Sequence, residues 1–228
     1  MKRFWKEVTV EAGSIRLDGR PVRTPARALL EVQTDALAQA IAQEWAAQGD
    51  QVDPRAMPLT GLANAAIDRV APDPAAFARD LARYAETDLL CYRADGPEPL
   101  VARQQAEWDP LLGWAAQRYD IHFTCVTGIL HTPQPEATVA RLGEALLANP
   151  PFRLAPLSPL ITISGSLVIA LAVVEGAITA EDAFAAGHLD ELWQAEQWGE
   201  DELAAQGRAK RREDFLSAAR FLALVDAA

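Results

Sequence analysis

Residues 71–74 read Ala-Pro-Asp-Pro and separate two parts of the chain that differ in character. Asp73 is a favourable helix N-cap and Pro74 suits the first turn of a helix, so this tetrapeptide predicts a break followed by a new helix. Before it, strand patterns alternate with helical ones, whereas after it apolar residues recur mostly at helical spacing. We therefore predict an N-terminal domain over residues 1–72 and a C-terminal domain over residues 73–228.

Strand and hairpin signals dominate the N-terminal part. Residues 4–10 alternate well enough for a strand, and Asp18-Gly19 between two short strand candidates is a strong signal for a hairpin turn. Thr34 is predicted to cap the next helix, whose inner face carries Trp45 in a structural role. The fold class predicted from these signals is α+β, with a small domain of short antiparallel strands and helices at the N-terminus.

Helical patterns fill most of the C-terminal part. Asp109-Pro110 is predicted to begin a helix, and residues 86–92 are interpreted as the end of a helix that enters the core. The uncharged stretch 157–174 is too polar in its first half to cross a membrane, since a span needs about 20 solidly apolar residues. We predict a loop leading into a buried helix, with no membrane insertion.

The charge balance excludes some classes of function. The formal net charge is −11 at pH 7, whereas nucleic-acid binding needs a basic surface, so no nucleic-acid partner is predicted. Anionic membranes would repel the chain as well.

Cysteine usage and the N-terminus bear on the compartment. Cys91 and Cys125 form no CxxC pair, so both are interpreted as core cysteines rather than as part of a disulfide framework or a zinc site. The first ten residues show neither a secretion signal nor a transit peptide. These features predict a bacterial cytoplasmic protein.

Residues 189–203, LDELWQAEQWGEDEL, are the strongest candidate for a functional segment, with two tryptophans and six carboxylates but no Lys or Arg. Wound as one helix, the segment places Trp193 and Glu196 on an apolar stripe and Trp198 on the opposite, polar face. A carboxylate on the core side and an indole on the water side reverse what stability favours, which marks a functional site. Two structural alternatives are that the helix ends early or that Glu196 pairs with a buried arginine.

The polar face of that helix predicts a contact surface. Glu191 and Gln194 fall beside Trp198, and such an aromatic–polar patch suits a transient protein interface. Glu196 is predicted to be semi-buried. The basic run that follows, Arg208 to Arg212, is interpreted as a solvated helix face that also neutralises the acidic segment.

An enzyme remains the competing class at this level. Glu191, Glu196 and Glu200 could serve a metal-dependent enzyme, and His188 and Glu191 have the i, i+3 spacing of a di-metal motif. No phosphate-binding loop, dinucleotide fingerprint, GxSxG or HExxH motif occurs, and no further ligand set is visible. We therefore predict no catalytic residues, no metal and no cofactor.

Several segments together resemble the F-type ATP synthase assembly chaperones that handle the α subunit of the catalytic head. The resemblance spans nearly the whole chain, and its combination of short motifs is specific. The motifs are LDGRPVRTPAR (17–27), MPLTGLANAAIDRV (57–70), ETDLLCYRA (86–94), EWDPLLGWA (107–115), SGSLVIALAVVEG (164–176) and LWQAEQWGEDE (192–202).

The resemblance implies a non-enzymatic chaperone that is a monomer when free. Such a protein binds the free α subunit and shields the surface that later faces the β subunit. It also implies a larger C-terminal orthogonal helical bundle and functional acidic positions, which carry over to Glu191, Glu196 and Glu200. The family's important tryptophan in the first long helix carries over to Trp45.

Overall fold

The computed structural model describes residues 2–227, which are 63% helical, and confirms the predicted α+β class with a small N-terminal strand region and a larger helical region. The strands are β1 Val8–Glu11, β2 Ser14–Leu17, β3 Arg20–Pro21, β4 Tyr92–Arg93 and β5 Val126–Thr127. The helices are α1 Asp35–Ala46, α2 Pro58–Ala65, α3 Pro74–Ala82, α4 Glu98–Tyr119, α5 Glu136–Leu147, α6 Pro151–Ser164, α7 Leu167–Val174, α8 Ala180–Gly187, α9 Leu189–Trp198 and α10 Glu202–Val225.

Two compact units divide these elements. One contains residues 2–77, 149–156 and 217–227, and the other contains Ala78–Ala148 and Leu157–Leu216. The first and last parts of the chain thus share one unit. The predicted boundary between an N-terminal domain over residues 1–72 and a C-terminal domain over residues 73–228 stays a prediction.

The antiparallel sheet of the first unit has the order β1-β2-β3. Asp18 and Gly19 both have positive φ angles, 49° and 77°, as a two-residue type I′ hairpin turn requires. The predicted hairpin is therefore confirmed. The predicted strand over residues 4–10 begins only at Val8, because Trp5 is instead buried against Trp45, with ring centroids 5.2 Å apart.

Both predicted helix starts in this unit are confirmed. The Thr34 hydroxyl oxygen accepts a hydrogen bond from the Leu37 amide at 3.3 Å and donates to the Leu224 carbonyl at 2.6 Å. The Asp73 carboxylate accepts from the Ala76 amide at 2.9 Å. Such caps satisfy amides that the first turn of a helix leaves unpaired.

The predicted start of a helix at Asp109-Pro110 is wrong, because Pro110 lies inside the 22-residue helix α4. The buried face of α4 begins three turns earlier, at Leu100, and continues through Gln104 and Trp108. Trp108 is fully buried, and its indole donates to the Ala186 carbonyl at 2.9 Å. The burial of this face outweighs the cost of about 3 kcal/mol for a proline in a helix interior.

The predicted loop in the first half of 157–174 is also wrong, since helix α6 includes Pro156 and Pro159. A fully buried stripe that contains Leu154, Leu157 and Leu160 explains the difference, because burying each leucine stabilises the helix by about 1.5–3 kcal/mol. The predicted core helix is confirmed as α7. In the part of the chain that the structure covers, residues 2–227, no helix combines the length and apolarity needed to span a membrane.

Asp88 gives the segment 86–92 a role that the sequence did not suggest. Its carboxylate is fully buried and accepts hydrogen bonds from the Leu90 amide at 3.1 Å and the Val168 amide at 3.0 Å. Ser166 and Leu167 also donate to it. Asp88 therefore caps the buried N-terminus of α7, together with the Ser166 hydroxyl, which accepts from the Ile169 amide at 3.0 Å.

Asp88 is expected to make stability depend on pH. Burial raises the pKa of its carboxyl group from 3.8 to about 6, although the hydrogen bonds from the α7 terminus oppose this rise. Because the folded state then holds the proton more tightly than the unfolded state, this contribution is present below pH ~4 and is lost as the pH rises through about 6. A pKa shift of this size corresponds to roughly 3 kcal/mol in the free energy of unfolding.

Urea denaturation of the wild type and of Asp88→Asn, at several pH values between about 4 and 7, measures this contribution. The asparagine does not titrate, so the wild type should lose stability relative to the variant as the pH rises through this window. A difference in stability that stays constant with pH would contradict the raised pKa.

The two cysteines are not equivalent. Cys91 is buried, as predicted, but Cys125 is exposed, so its interpretation as a core cysteine is wrong. Cys125 directly precedes β5, a two-residue strand that pairs in parallel with β4.

Candidate functional site

The predicted single helix over residues 189–203 is two helices with a break between them. Helix α9 ends at Trp198, and α10 begins at Glu202. Gly199 has φ 88° and ψ 162°, a backbone conformation that is essentially restricted to glycine. The alternative in which the helix ends early is therefore confirmed, and its cause is Gly199.

The break changes the direction of the second half of the segment. Asp201 caps α10 by accepting a hydrogen bond from the Ala204 amide at 2.8 Å. Leu203 consequently leaves the apolar stripe on which a continuous helix would place it, and it is exposed. The acidic residues at 200–202 thus belong to a linker and a new helix start, where negative charge is favourable.

Glu196 was predicted to be semi-buried, but its side chain is 53% exposed. Its carboxylate pairs with Arg103 of α4 at 2.7 Å. The reason lies in the placement of α9, which buries Leu189 in its first turn while its later residues are half-buried or exposed. The apolar stripe therefore reaches the core only at its beginning.

Arginines of α10 neutralise the other two carboxylates that the sequence singled out. Arg208 donates to Glu191 at 3.2 Å and also to Glu200. Arg211 donates to the second oxygen of Glu191 at 2.7 Å. The Arg208 side chain is only 11% exposed, so this pairing is better shielded from solvent than an ordinary surface ion pair. The prediction that the basic run neutralises the acidic segment is confirmed for these two arginines.

His188 and Glu191 have the spacing of a metal motif, but their contacts are different. The ring of His188 stacks on Phe184 at 3.9 Å, and its Nδ1 lies 3.0 Å from the Phe184 carbonyl oxygen. Arg211 Nε donates to His188 Nε2 at 3.3 Å. Burial lowers the pKa of His188, and Arg211 lowers it further. Both nitrogens are thus engaged with the protein.

The carboxylates do not form a metal centre. Within residues 2–227, no group of three or more His, Cys, Asp or Glu side chains is arranged to hold a metal ion. Glu191, Glu196 and Glu200 instead contact arginines. These three carboxylates thus form ion pairs between helices. They do not converge as the ligands that the metal-dependent enzyme hypothesis requires.

The structure brings four of the five predicted contact residues together around one cavity. This cavity has a volume of about 210 Å³, and Glu191, Gln194, Trp198 and Glu200 contribute to its lining. Asp201 and Arg208 also line it. Glu196, the fifth, is not among the lining residues. We call this cavity the α9–α10 pocket.

Trp198 is the prominent apolar group of the α9–α10 pocket. It is 76% exposed, although a tryptophan gains about 1.5 kcal/mol or more when it is buried. Trp193, which was predicted to be structural, is half-buried and contacts Trp198 edge-on, with ring centroids 6.1 Å apart at 88°. Trp193 thus supports one edge of Trp198 and leaves most of its surface open to solvent.

Two features of this region were missed by sequence reasoning. Arg103 is 93 residues away from its partner Glu196, and no local pattern marks it. A larger cavity of about 400 Å³ also adjoins the pocket, and its lining combines apolar residues such as Phe184 and Leu192 with charged ones such as Arg208. The sequence places these apolar side chains on α8 and α9, but it gives no sign that they line the same cavity.

Known proteins are similar to this chain in both sequence and structure. A sequence model of the ATP12 chaperone protein family matches residues 2–116. The crystal structure of Atp12 from Paracoccus denitrificans is 43% identical, over 98% of this chain and 98% of that chain, with a TM-score of 0.91. A Paracoccus variant with lysine in place of one aspartate is 42% identical, over 98% and 97% of the two chains, with a TM-score of 0.91. A chaperone candidate from Agrobacterium tumefaciens is 44% identical, over 99% of this chain and 86% of that chain, with a TM-score of 0.92.

These relatives place the protein in the class of chaperones. The family match covers half of the chain, and the structural similarity covers nearly all of it at high identity. The chain belongs to the ATP12 chaperone family, whose members act in the assembly of ATP synthase. The resemblance found in the sequence motifs is therefore confirmed, and the family is one of chaperones, not of enzymes.

Proposed function

We propose that this protein binds the free α subunit of the F-type ATP synthase catalytic head through the α9–α10 pocket. In this proposal it shields the surface of the α subunit that later faces the β subunit, and it leaves before the hexamer closes. It acts as a monomer without catalytic activity, in the bacterial cytoplasm. The exposed Trp198 at a pocket with three carboxylates is the observation that carries the choice of site.

The chemistry of the pocket fits a transient protein partner. A free subunit exposes apolar surface, which is an aggregation hazard until its final partner covers it. Trp198 offers apolar area with a polar edge, as interface hot spots commonly do. Gln194 is exposed beside it and offers an amide that can both donate and accept.

The carboxylates of the pocket set the expected dependence on salt. Glu200 and Asp201 lie at the exposed rim, and rim charges mainly speed encounter with an oppositely charged surface. The proposed binding site on the α subunit therefore carries basic residues near an apolar patch. Raising the salt concentration is expected to slow association more than it speeds dissociation.

Replacing Trp198 by alanine is expected to weaken binding of purified α subunit by roughly 30-fold, the effect of losing an interface hot spot of about 2 kcal/mol. Surface plasmon resonance with immobilised chaperone measures the affinity, and a thermal melt verifies folding. Phe4→Ala is the matched control, since Phe4 is a similarly exposed aromatic of the first unit. It should bind like the wild type.

The same measurement on Glu196→Lys separates the pocket from the rest of α9. This variant loses the ion pair with Arg103 but keeps every residue that lines the pocket. If the pocket is the binding site, the change weakens binding less than Trp198→Ala does. Wild-type affinity of a folded Trp198→Ala variant would overturn the proposed site, while absence of binding by the wild type would overturn the proposed partner.

A further inference from the structure

Strands β4 and β5 bring the two cysteines of the chain side by side. The strands pair in parallel, with Tyr92 opposite Val126 and Arg93 opposite Thr127. Cys91 directly precedes Tyr92, and Cys125 directly precedes Val126. The parallel register therefore places Cys91 next to Cys125, although the two residues are distant in sequence.

The geometry of neighbouring parallel strands suits a disulfide. Strands in a sheet lie about 4.8 Å apart, which falls within the usual Cα separation of about 4.4–6.8 Å for bridged cysteines. The Cys125 thiol is close enough to Cys91 to help raise the pKa of its thiol. Both thiols are free. The two thiols are thus neighbours beside the ladder, as a disulfide requires.

We propose that Cys91 and Cys125 form a reversible intramolecular disulfide when a peroxide oxidises the protein. Cys125 is the exposed partner, so its sulfur attacks hydrogen peroxide first, which gives a sulfenic acid and releases one water. The Cys91 thiol then attacks that sulfur, the S–O bond breaks, and a second water leaves. The two thiols lose two electrons and two protons in total, and the peroxide is reduced to water.

The surroundings of Cys91 set the expected speed of the second step. Burial raises the pKa of the Cys91 thiol, and the neighbouring Asp88 raises it further. The attacking species is the thiolate, so bond formation is slow at neutral pH and becomes faster as the pH rises. The bond is therefore expected to respond to sustained oxidation rather than to a brief pulse.

The bond would fasten two segments that otherwise meet through a two-residue ladder. On one side it follows Asp88, which caps α7, and on the other it anchors β5 ahead of the loop with Ile129 and Leu130. Both of these loop residues are exposed, Ile129 almost completely. A cross-link at this point lowers the conformational entropy of the unfolded chain and fixes the position where the loop begins.

Intact-mass analysis of the full chain tests the proposal. The protein is treated with hydrogen peroxide, excess oxidant is removed by catalase, and the denatured chain is alkylated with iodoacetamide. We expect a monomer about 2 Da lighter than the reduced chain that takes up no alkyl groups, and a linked Cys91–Cys125 peptide after proteolysis. Dithiothreitol should restore two alkylation sites, and the oxidised chain should melt at a higher temperature.

Two variants keep the result interpretable. Cys125→Ser should leave Cys91 reduced under the same treatment, because burial protects it. Cys91→Ala should leave Cys125 as a sulfenic acid that dimedone traps. The proposal is overturned if wild-type Cys125 proceeds to sulfinic acid while Cys91 still accepts iodoacetamide after denaturation. A disulfide between two copies of the chain through Cys125 would also overturn it.

Discussion

Replacing Asp88 by alanine is expected to lower the free energy of unfolding by about 3–5 kcal/mol at pH ~4, where the cost of ionising the buried carboxyl group does not offset the lost hydrogen bonds. The change removes the acceptor for the buried amides of Leu90 and Val168, and leaving a buried donor unsatisfied costs about 1–3 kcal/mol each. It also removes one of the two side chains that cap α7, in a site that water does not reach. Urea denaturation followed by far-UV circular dichroism measures the loss.

Asp73→Ala is the matched control for Asp88→Ala. Asp73 also caps a helix through a backbone amide, at 2.9 Å, but it is exposed. Water can replace its carboxylate, so its loss should cost only about 1 kcal/mol. If the two variants lose equal stability, the burial of Asp88 does not have the importance assigned to it.

Replacing Trp108 by alanine is expected to cost about 3–5 kcal/mol, the range for truncating a large buried aromatic side chain. Trp108 is fully buried in α4, its indole donates to the Ala186 carbonyl, and Arg93 lies over its ring at 5.4 Å from the centroid. The side chain thus fills the core and also links α4 to α8. Chemical denaturation with intrinsic fluorescence gives the free energy of unfolding.

Trp108→Phe separates the two contributions. Phenylalanine keeps most of the volume but leaves the Ala186 carbonyl without its donor, so about 1–3 kcal/mol should be lost. Trp198→Ala provides the comparison for an exposed tryptophan and should stay within about 0.5 kcal/mol of the wild type. Equal losses for Trp108→Ala and Trp198→Ala would contradict the burial of Trp108.

Local signals were read correctly from the sequence where one or two residues decide the structure. The Asp18-Gly19 turn and the caps at Thr34 and Asp73 depend on backbone angles and hydrogen bonds within a few residues. Such preferences hold in most tertiary contexts. Composition and charge only excluded classes of function, whereas the short motifs indicated the family.

The predictions based on proline were wrong where the burial of an apolar helix face outweighed the tendency of proline to end a helix. Pro110 and Pro159 lie within helices because the apolar faces of α4 and α6 are buried along their length. Propensity is a weak guide when tertiary packing opposes it. A proline therefore predicts a helix boundary only when the neighbouring apolar face also ends there.

The sequence predicted most of the residues of the candidate site, but it did not predict how the backbone arranges them. The helical spacing grouped Glu191, Gln194 and Trp198, and these residues do share the α9–α10 pocket. Gly199 ends α9, however, and Glu196 lies at the exposed end of that helix, where it pairs with Arg103. Long-range ion pairs of this kind leave no periodic trace in the sequence, so only the folded structure reveals them.

The order of synthesis adds a constraint on the first compact unit. The Thr34 hydroxyl donates to the carbonyl of Leu224, 190 residues later, and Phe152 stacks on Phe221 in the same unit. A ribosome that adds about 5–20 residues per second needs on the order of 10–40 seconds to cover that separation. The N-terminal strands and α1 thus leave the ribosome long before residues 217–227, so the first unit is completed only after that later segment has been synthesised.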